Sequence, residues 1–263
     1  MRHEGKCVLI TGGGSGIGRA LAIAAARRGM EVALCGRRLS ALQETAAEMV
    51  AAAPAAVGPL LIPADITRAA DRIHIAERVG AIWGALDVLV NNAGIVEGGA
   101  VETVDDSALE ALFRTNVTAP IALTRELAPL LVAARPARVV NVGSMFGDIA
   151  YPGFAAYSAS KFALRGFSSA LRREWKELGI GVTYAAPRAT RTDAAAAFDG
   201  LIAATGMRLD APERVAAHIW RAVERGRDTA YPTGPERLFV LIQRLAPKLI
   251  DSALARTAVR AAA

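Results

Sequence analysis

The stretch Thr11-Gly12-Gly13-Gly14-Ser15-Gly16-Ile17-Gly18 joins an apolar, β-branched run, Lys6 to Thr11, to a segment, Gly16 to Arg28, whose Leu, Ile and Ala recur at helical spacing. A strand that turns through glycines straight into a helix is the opening unit of a parallel α/β sheet. Glycine permits the tight turn and a close approach of another molecule to the backbone. The free amides and dipole of the helix N-terminus attract an anion. Thr11, Gly12, Gly14, Ser15, Gly16, Ile17 and Gly18 therefore read as a phosphate cradle. Their Gly-x-x-x-Gly-x-Gly spacing differs from the commoner Gly-x-Gly-x-x-Gly dinucleotide fingerprint, so the rest of the chain must decide what is held there.

Working outward, short apolar runs keep alternating with longer helical patterns. The strands are read at Lys6 to Thr11, Glu31 to Cys35, Leu60 to Pro63, Leu86 to Asn91, Arg138 to Val142, Gly181 to Ala185 and Asp228 to Tyr231. Helices are read at Gly16 to Arg28, Leu39 to Ala52, Ala69 to Trp83, Asp105 to Ala134, Ala156 to Leu178 and Pro212 to Glu224, with Gly29 and Gly179 as C-terminal caps. This alternation predicts a single Rossmann-type, doubly wound α/β domain with a seven-stranded, mainly parallel sheet and helices on both faces. The domain is placed at residues 1–234. Residues 235–263 are read as a C-terminal amphipathic helical extension of it. Ligands of such sheets bind beyond the carboxyl ends of the strands, near the point where strand order reverses.

A chain of 263 residues, 53% hydrophobic and 21% charged, can close around one core. The net charge of +6 raises the question of a polyanionic partner. The arginines are scattered and alternate with acids, as in Arg172, Arg173, Glu174, Lys176 and Glu177, so no nucleic-acid partner is expected. The histidines His3, His74 and His218 lack ligand spacing, and Cys7 and Cys35 sit in apolar strands; no metal is expected. No apolar run approaches the roughly 18 residues of a spanning helix, and Met1 to Lys6 does not resemble a secretory signal, so the expected location is cytoplasmic.

An NAD-preferring site carries an acid at the tip of the second strand, about 20 residues past the glycines, to bind the ribose hydroxyls. Here the tip reads Cys35-Gly36-Arg37-Arg38. A small residue followed by two guanidiniums suits a 2′-phosphate, which predicts NADP(H) in preference to NAD(H), bound by Arg37 and Arg38.

A second set of signals follows: Asn91-Asn92-Ala93-Gly94, Asn116, Ser144, Tyr157 and Lys161. Tyr157 and Lys161, four apart on a helix, share one face. An ammonium beside a phenol favours the phenolate, so Tyr157 is expected below its ordinary pKa of about 10 and fit for acid/base work.

Thr-Gly-x-x-x-Gly-x-Gly, Asn-Asn-Ala-Gly, Ser and Tyr-x-x-x-Lys, in this order from Thr11 to Thr192, resemble the short-chain dehydrogenase/reductase family. The resemblance implies an NAD(P)-dependent alcohol dehydrogenase or carbonyl reductase acting on CH–OH donors. Tyr157 would be the acid/base, and Ser144 would hydrogen-bond the substrate oxygen. Lys161 would also hold the nicotinamide ribose, and Asn116 would support a water relay. It further implies that Asp65 and Ile66 contact the adenine, that Asn92, Ala93 and Gly94 line its ribose, and that Pro187, Thr190 and Thr192 lie along the carboxamide end. A homodimer or homotetramer is a family implication as well. The chain departs from the family at Pro187-Arg188, where glycine usually follows the proline; Arg188 would either restrict substrate access or reach the cofactor phosphates.

Met145, Phe146 and Phe154 near the serine, and Phe198, Leu201, Ile202 and Met207 in the loop Asp193 to Asp210, suggest an apolar pocket under a flap. The substrate is expected to be an apolar carbonyl or alcohol, a lipophilic ketone, steroid-like compound or long-chain acyl derivative, touched by Ser144, Met145, Phe154 and Tyr157. A 3-oxoacyl-thioester reductase and an NADP(H)-binding sensor without turnover are the alternatives. Beyond Gly234, Leu238, Leu241, Ile242, Leu245, Leu249 and Leu254 form a helical stripe interrupted by Pro247, with Arg237, Arg244, Lys248, Arg256 and Arg260 on other faces. Three roles fit this tail: packing on a neighbouring subunit, roofing the pocket, or peripheral contact with an anionic membrane.

Overall fold

Strands that are apolar on both faces need cover on both sides, and the intervening helices supply it. The computed structural model describes residues 4–198, 202 and 208–261, with side chains as far as 255. Its strands are β1 Cys7–Thr11, β2 Glu31–Gly36, β3 Leu60–Pro63, β4 Val88–Asn91, β5 Ala137–Val142, β6 Ile180–Ala185 and β7 Thr229–Ala230. They form one sheet in the order β3-β2-β1-β4-β5-β6-β7, and each pairing is parallel. The expected doubly wound α/β architecture is therefore present, and the order reverses between β1 and β4. Because Ile10 lies opposite Val90, the glycine turn after β1 and the Asn-Asn turn after β4 emerge side by side at that reversal.

The helices are α1 Gly16–Ala26, α2 Leu39–Ala52, α3 Ala69–Trp83, α4 Asp106–Phe113, α5 Ala119–Glu126, α6 Ala128–Ala133, α7 Ala155–Glu174, α8 Pro212–Glu224, α9 Glu236–Leu245 and α10 Pro247–Ala261. On one face of the sheet, Leu21 and Trp220 of α1 and α8 are fully buried with Val8, Ile10 and Leu34. The Trp220 indole donates to the carbonyl of Leu21 at 3.0 Å. The other face packs Ile75, Leu123, Leu127 and Leu171 against Leu9, Leu89 and Val139. Each fully buried Leu or Ile contributes about 1.5–3 kcal/mol relative to exposure.

The sequence predicted one helix from Asp105 to Ala134, and here the structure differs. Asp105 caps α4 by accepting from the amide of Ala108 at 2.9 Å. The helix then widens into a π turn over Arg114–Thr118 before α5 and α6. Pro120 and Pro129 sit in the first turns of α5 and α6, the positions where a missing amide is tolerated. Side-chain periodicity alone carries across these junctions and hides them. The C-terminal stripe forms two helices, with the bend at Ala246 just before Pro247.

Candidate active site

A cleft of about 1110 Å³ opens over the carboxyl ends of the strands. Its floor is the glycine turn. Gly12 and Gly16 take φ of 65° and 54°, which L side chains rarely adopt. A Cβ on Gly18 would lie 2.1 Å from the Gly12 carbonyl oxygen, and one on Gly14 3.0 Å from the Ala41 methyl. Gly12, Gly14, Ser15, Gly16 and Ile17 line the cleft. Thr11 and Gly18 instead shape the turn from behind. The buried Thr11 hydroxyl accepts from the amides of Asn92 and Ala93, both at 3.0 Å, while the Asn92 side chain donates to the carbonyl of Thr11 at 2.9 Å. Arg19, which sequence reasoning passed over, donates to the Gly14 carbonyl at 2.9 Å and pairs with Glu44 and Glu48 at 3.1 and 2.8 Å, pinning the turn to α2.

Arg37, Arg38, Asp65 and Ile66 line the far end. Desolvation works against the Asp65 charge, but hydrogen bonds from Thr67 and the nearby guanidiniums of Arg37 and Arg68 hold its carboxyl below the usual range. A cradle that a Cβ would fill, a helix N-terminus above it and two cations at the tip of β2 make a donor set that fits a phosphorylated dinucleotide.

Ser144, Tyr157 and Lys161 line the same cleft with Pro187 and Thr190; Gly94 adjoins the Lys161 ammonium, whereas Asn92 borders Gly12 and Thr192 borders Gly16 at the glycine turn. Tyr157 is buried and hydrogen-bonded to Ser144, whose hydroxyl also accepts from the amide of Phe146 at 3.1 Å. The Lys161 ammonium stands 5.6 Å from the centroid of the Tyr157 ring and donates to the Val142 carbonyl at 3.3 Å. The structure corrects one expectation. Burial pushes the Tyr157 phenol up to about 12, against the opposing pull of the Ser144 hydrogen bond. Burial also brings the Lys161 ammonium down to about 8. Spacing on the helix face predicted the pair but not its desolvation, which raises the phenol and lowers the ammonium.

Asn116 lies within the π turn, buried behind the cleft. Its side chain accepts from the amide of Ile95 at 2.9 Å and donates to the Ile95 carbonyl at 2.9 Å and the Ser160 hydroxyl at 3.1 Å; Ser160 in turn donates to the Tyr157 carbonyl at 2.7 Å. The widened turn thus ties the loop after β4 to the backbone that carries Tyr157. On the serine side, the Tyr184 hydroxyl donates to the Ser144 carbonyl at 3.0 Å. A Cβ on Gly143 or Gly147 would lie 2.2 Å from the Tyr184 side chain. Two glycines bracketing a serine were the available signal for this clamp.

The substrate end is walled by aromatic rings. Phe146 stacks on Tyr151 with centroids 5.2 Å apart and meets Tyr157 edge-on at 6.2 Å. Of the four residues expected at the substrate, Ser144, Met145 and Tyr157 line the cleft. Phe154 backs it, stacked on Phe198 at 5.0 Å. Leu201 and Met207 lie outside the described residues. The tail supplies a roof that sequence reasoning left among three alternatives: Phe239 of α9 and Ile250, Ala253 and Leu254 of α10 close over the pocket. Arg188 lines the cleft, and its guanidinium is engaged by two carboxylates. It donates through two nitrogens to Asp210, both at 3.1 Å, and through a third to Glu236 at the start of α9.

Comparison with known proteins agrees with this geometry. A family model described as short chain dehydrogenase matches residues 6–200. A mouse protein named "Dehydrogenase/reductase SDR family member 7B" is 30% identical over 243 residues, 92% of this chain and 74% of its own. The Escherichia coli 3-oxoacyl-[acyl-carrier-protein] reductase FabG is 34% identical over 193 residues, 73% of this chain and 77% of its own. The crystal structure of a short-chain dehydrogenase from Streptomyces avermitilis superposes with a TM-score of 0.81 at 31% identity, covering 98% of each chain.

Proposed function

This chain belongs to the short-chain dehydrogenase/reductase family, and on that premise we propose that it is an NADP(H)-dependent carbonyl reductase or alcohol dehydrogenase for an apolar substrate. One observation carries the reading: Ser144, Tyr157 and Lys161 meet at one end of a single cleft whose other end presents the glycine turn, Arg37 and Arg38.

The glycine turn and the α1 N-terminus would hold the pyrophosphate, and Arg37 and Arg38 a 2′-phosphate. Pro187, Thr190 and Thr192 would hold the nicotinamide end. When bound, the nicotinamide supplies or accepts the hydride. Ser144 holds the substrate oxygen by hydrogen bond within reach of Tyr157, and in reduction Tyr157 gives its proton to the developing alkoxide. A phenol raised by burial holds its proton near neutrality, as the acid in carbonyl reduction requires. The Lys161 ammonium offsets the phenolate charge left behind, and Asn116 holds the Tyr157 backbone through Ser160. The aromatic wall and the apolar side chains of the α9–α10 roof favour an apolar substrate.

A second reading, reduction of a 3-oxoacyl thioester, draws support from the 34% identity to FabG. Turnover of free apolar ketones and aldehydes with NADPH, set against acetoacetyl thioesters, separates the two. Preference for the free carbonyls supports the first; preference for the thioesters supports the second.

A further inference from the structure

Helix α9 has three working faces. One buries Val240 against Met145, Tyr184 and Tyr231, and one turns Phe239 to the cleft. The third presents Leu238, Leu241 and Leu245, which are 56, 51 and 76% exposed. Their spacing of three and four puts them on one strip. Leu249, 64% exposed, follows just past the bend. A contiguous apolar strip of this kind on a water-facing surface marks an interaction site.

The charges around the strip have one sign. Arg237 and Lys248 are exposed beside it; Arg244 is also exposed but stands 3.6 Å from the buried carboxylate of Asp148, and Asp251 is the single exposed acid of residues 236–255. Glu236, the only acid of α9, is held by Arg188.

We propose that this face docks the protein on an anionic lipid bilayer, with α9 lying along the surface. Apolar side chains flanked by cations are what such a surface binds. A second copy of the chain fits less well. A two-fold contact sets a patch upon itself, which here brings Arg237 and Lys248 of both copies together with only Asp251 to offset them. Ten residues of helix span about 15 Å, half of the roughly 30 Å of a bilayer core, so the helix lies on the membrane rather than through it. Among the described residues no helix is long and apolar enough to cross.

The docking face and the pocket roof belong to the same helix pair. An apolar carbonyl compound dissolved in the bilayer would therefore meet the roof directly; this step rests on the oxidoreductase reading, whereas the docking does not.

Co-sedimentation of the full chain with vesicles of phosphatidylcholine alone and of phosphatidylcholine with phosphatidylglycerol tests it, scored as protein in the pellet without substrate. Wild type should pellet with the anionic vesicles about tenfold more than with the neutral ones, and Leu241→Glu/Leu245→Glu should remain in the supernatant. Arg237→Gln/Lys248→Gln should weaken binding to anionic vesicles by about fivefold for each cation removed. Cooperative thermal unfolding by circular dichroism verifies that each variant is folded. If the leucine pair does not fold, Leu245→Ser, at the most exposed position, replaces it. Wild type that stays in solution with anionic vesicles, or a folded leucine variant that pellets as wild type does, overturns the proposal. So does a wild-type dimer that the leucine variant converts to monomer without altering vesicle binding, because the face would then be covered by a second copy. Failure of the oxidoreductase reading leaves this measurement untouched.

Discussion

Arg188 and Glu236, 48 positions apart, are joined by a direct ion pair that ties the loop after β6 to the first turn of the roof helix α9. Asp210, at the return of the flap, takes the other edge of the same guanidinium. The side chains of Asp210 and Glu236 are only 13 and 14% exposed. Removing the arginine leaves two poorly solvated carboxylates facing each other, a loss of about 3 kcal/mol when such a pair is buried and less when solvent reaches it.

Arg188→Gly, which restores the residue usual in the family, should therefore loosen the roof more than the chemistry. The KM for an apolar ketone should rise about tenfold with kcat changed by less than about threefold. Arg188→Lys should recover little, because a lysine cannot make the two-pronged contact to Asp210. Steady-state kinetics on the three proteins checks this; a fall in kcat at constant KM would place Arg188 in the chemical step instead.

Arg37 and Arg38 bear on cofactor choice. Loss of a charge-assisted hydrogen bond to phosphate is worth about 1.5–3 kcal/mol, so Arg37→Ala/Arg38→Ala should raise the KM for NADPH by about 10- to 100-fold. The KM for NADH should stay near its wild-type value. Equal effects on the two cofactors would mean that the guanidiniums stand in solvent.

The pH dependence of reduction should follow Lys161 rather than Tyr157. The tyrosine, raised to about 12, keeps its proton across the working range. The lysine, lowered to about 8, is charged below that pH and neutral above it. Below about 8 its cation offsets the charge left when Tyr157 gives up a proton. Above 8 that help is lost, so kcat/KM for reduction should be flat up to about pH 8 and fall beyond it. In Lys161→Arg the guanidinium stays charged past about pH 12 and the fall should move to higher pH. A falling limb left in place by that substitution would contradict the assignment.

Tyr184 holds Ser144 by its backbone and should matter without touching substrate. Tyr184→Phe removes a hydroxyl that donates to the Ser144 carbonyl at 3.0 Å and accepts from the Ser144 amide at 3.4 Å, a loss of about 1–2 kcal/mol, which for a chain of this size lowers Tm by roughly 2–8 °C. Turnover should fall several-fold while cofactor affinity holds. Gly147→Ala, which drives a methyl into the Tyr184 side chain and the Lys161 carbonyl, should destabilise more, by about 1–3 kcal/mol. Thermal melts and kinetics on both variants test the ranking.

The layout of the site was legible where the signal is local. Leu39–Ala52, Ala69–Trp83 and Pro212–Glu224 have the limits their periodicity predicts, and the glycine turn, Asn-Asn turn and Tyr-x-x-x-Lys pair all reach one cleft. What stayed hidden depends on three-dimensional contact. The π turn at Asn116 leaves the apolar repeat nearly intact, so the repeat reads as one helix. Thr11 shapes the turn from behind the cleft, its hydroxyl taken by the amides of Asn92 and Ala93, because two turns that emerge side by side must first satisfy one another. The phenol of Tyr157 rises rather than falls, since burial is invisible in a four-residue spacing. Arg188 stood out only as a break in a pattern; its partners lie 22 and 48 residues away.

The most direct measurement follows NADPH oxidation by the purified protein across a panel of apolar ketones and aldehydes, with Tyr157→Phe beside the wild type. Turnover by the wild type is expected, with a loss of at least about a hundredfold in the variant, the scale of a missing general acid, and NADPH binding preserved. Turnover that survives in Tyr157→Phe, or tight NADPH binding with no carbonyl reduced by either protein, would contradict it.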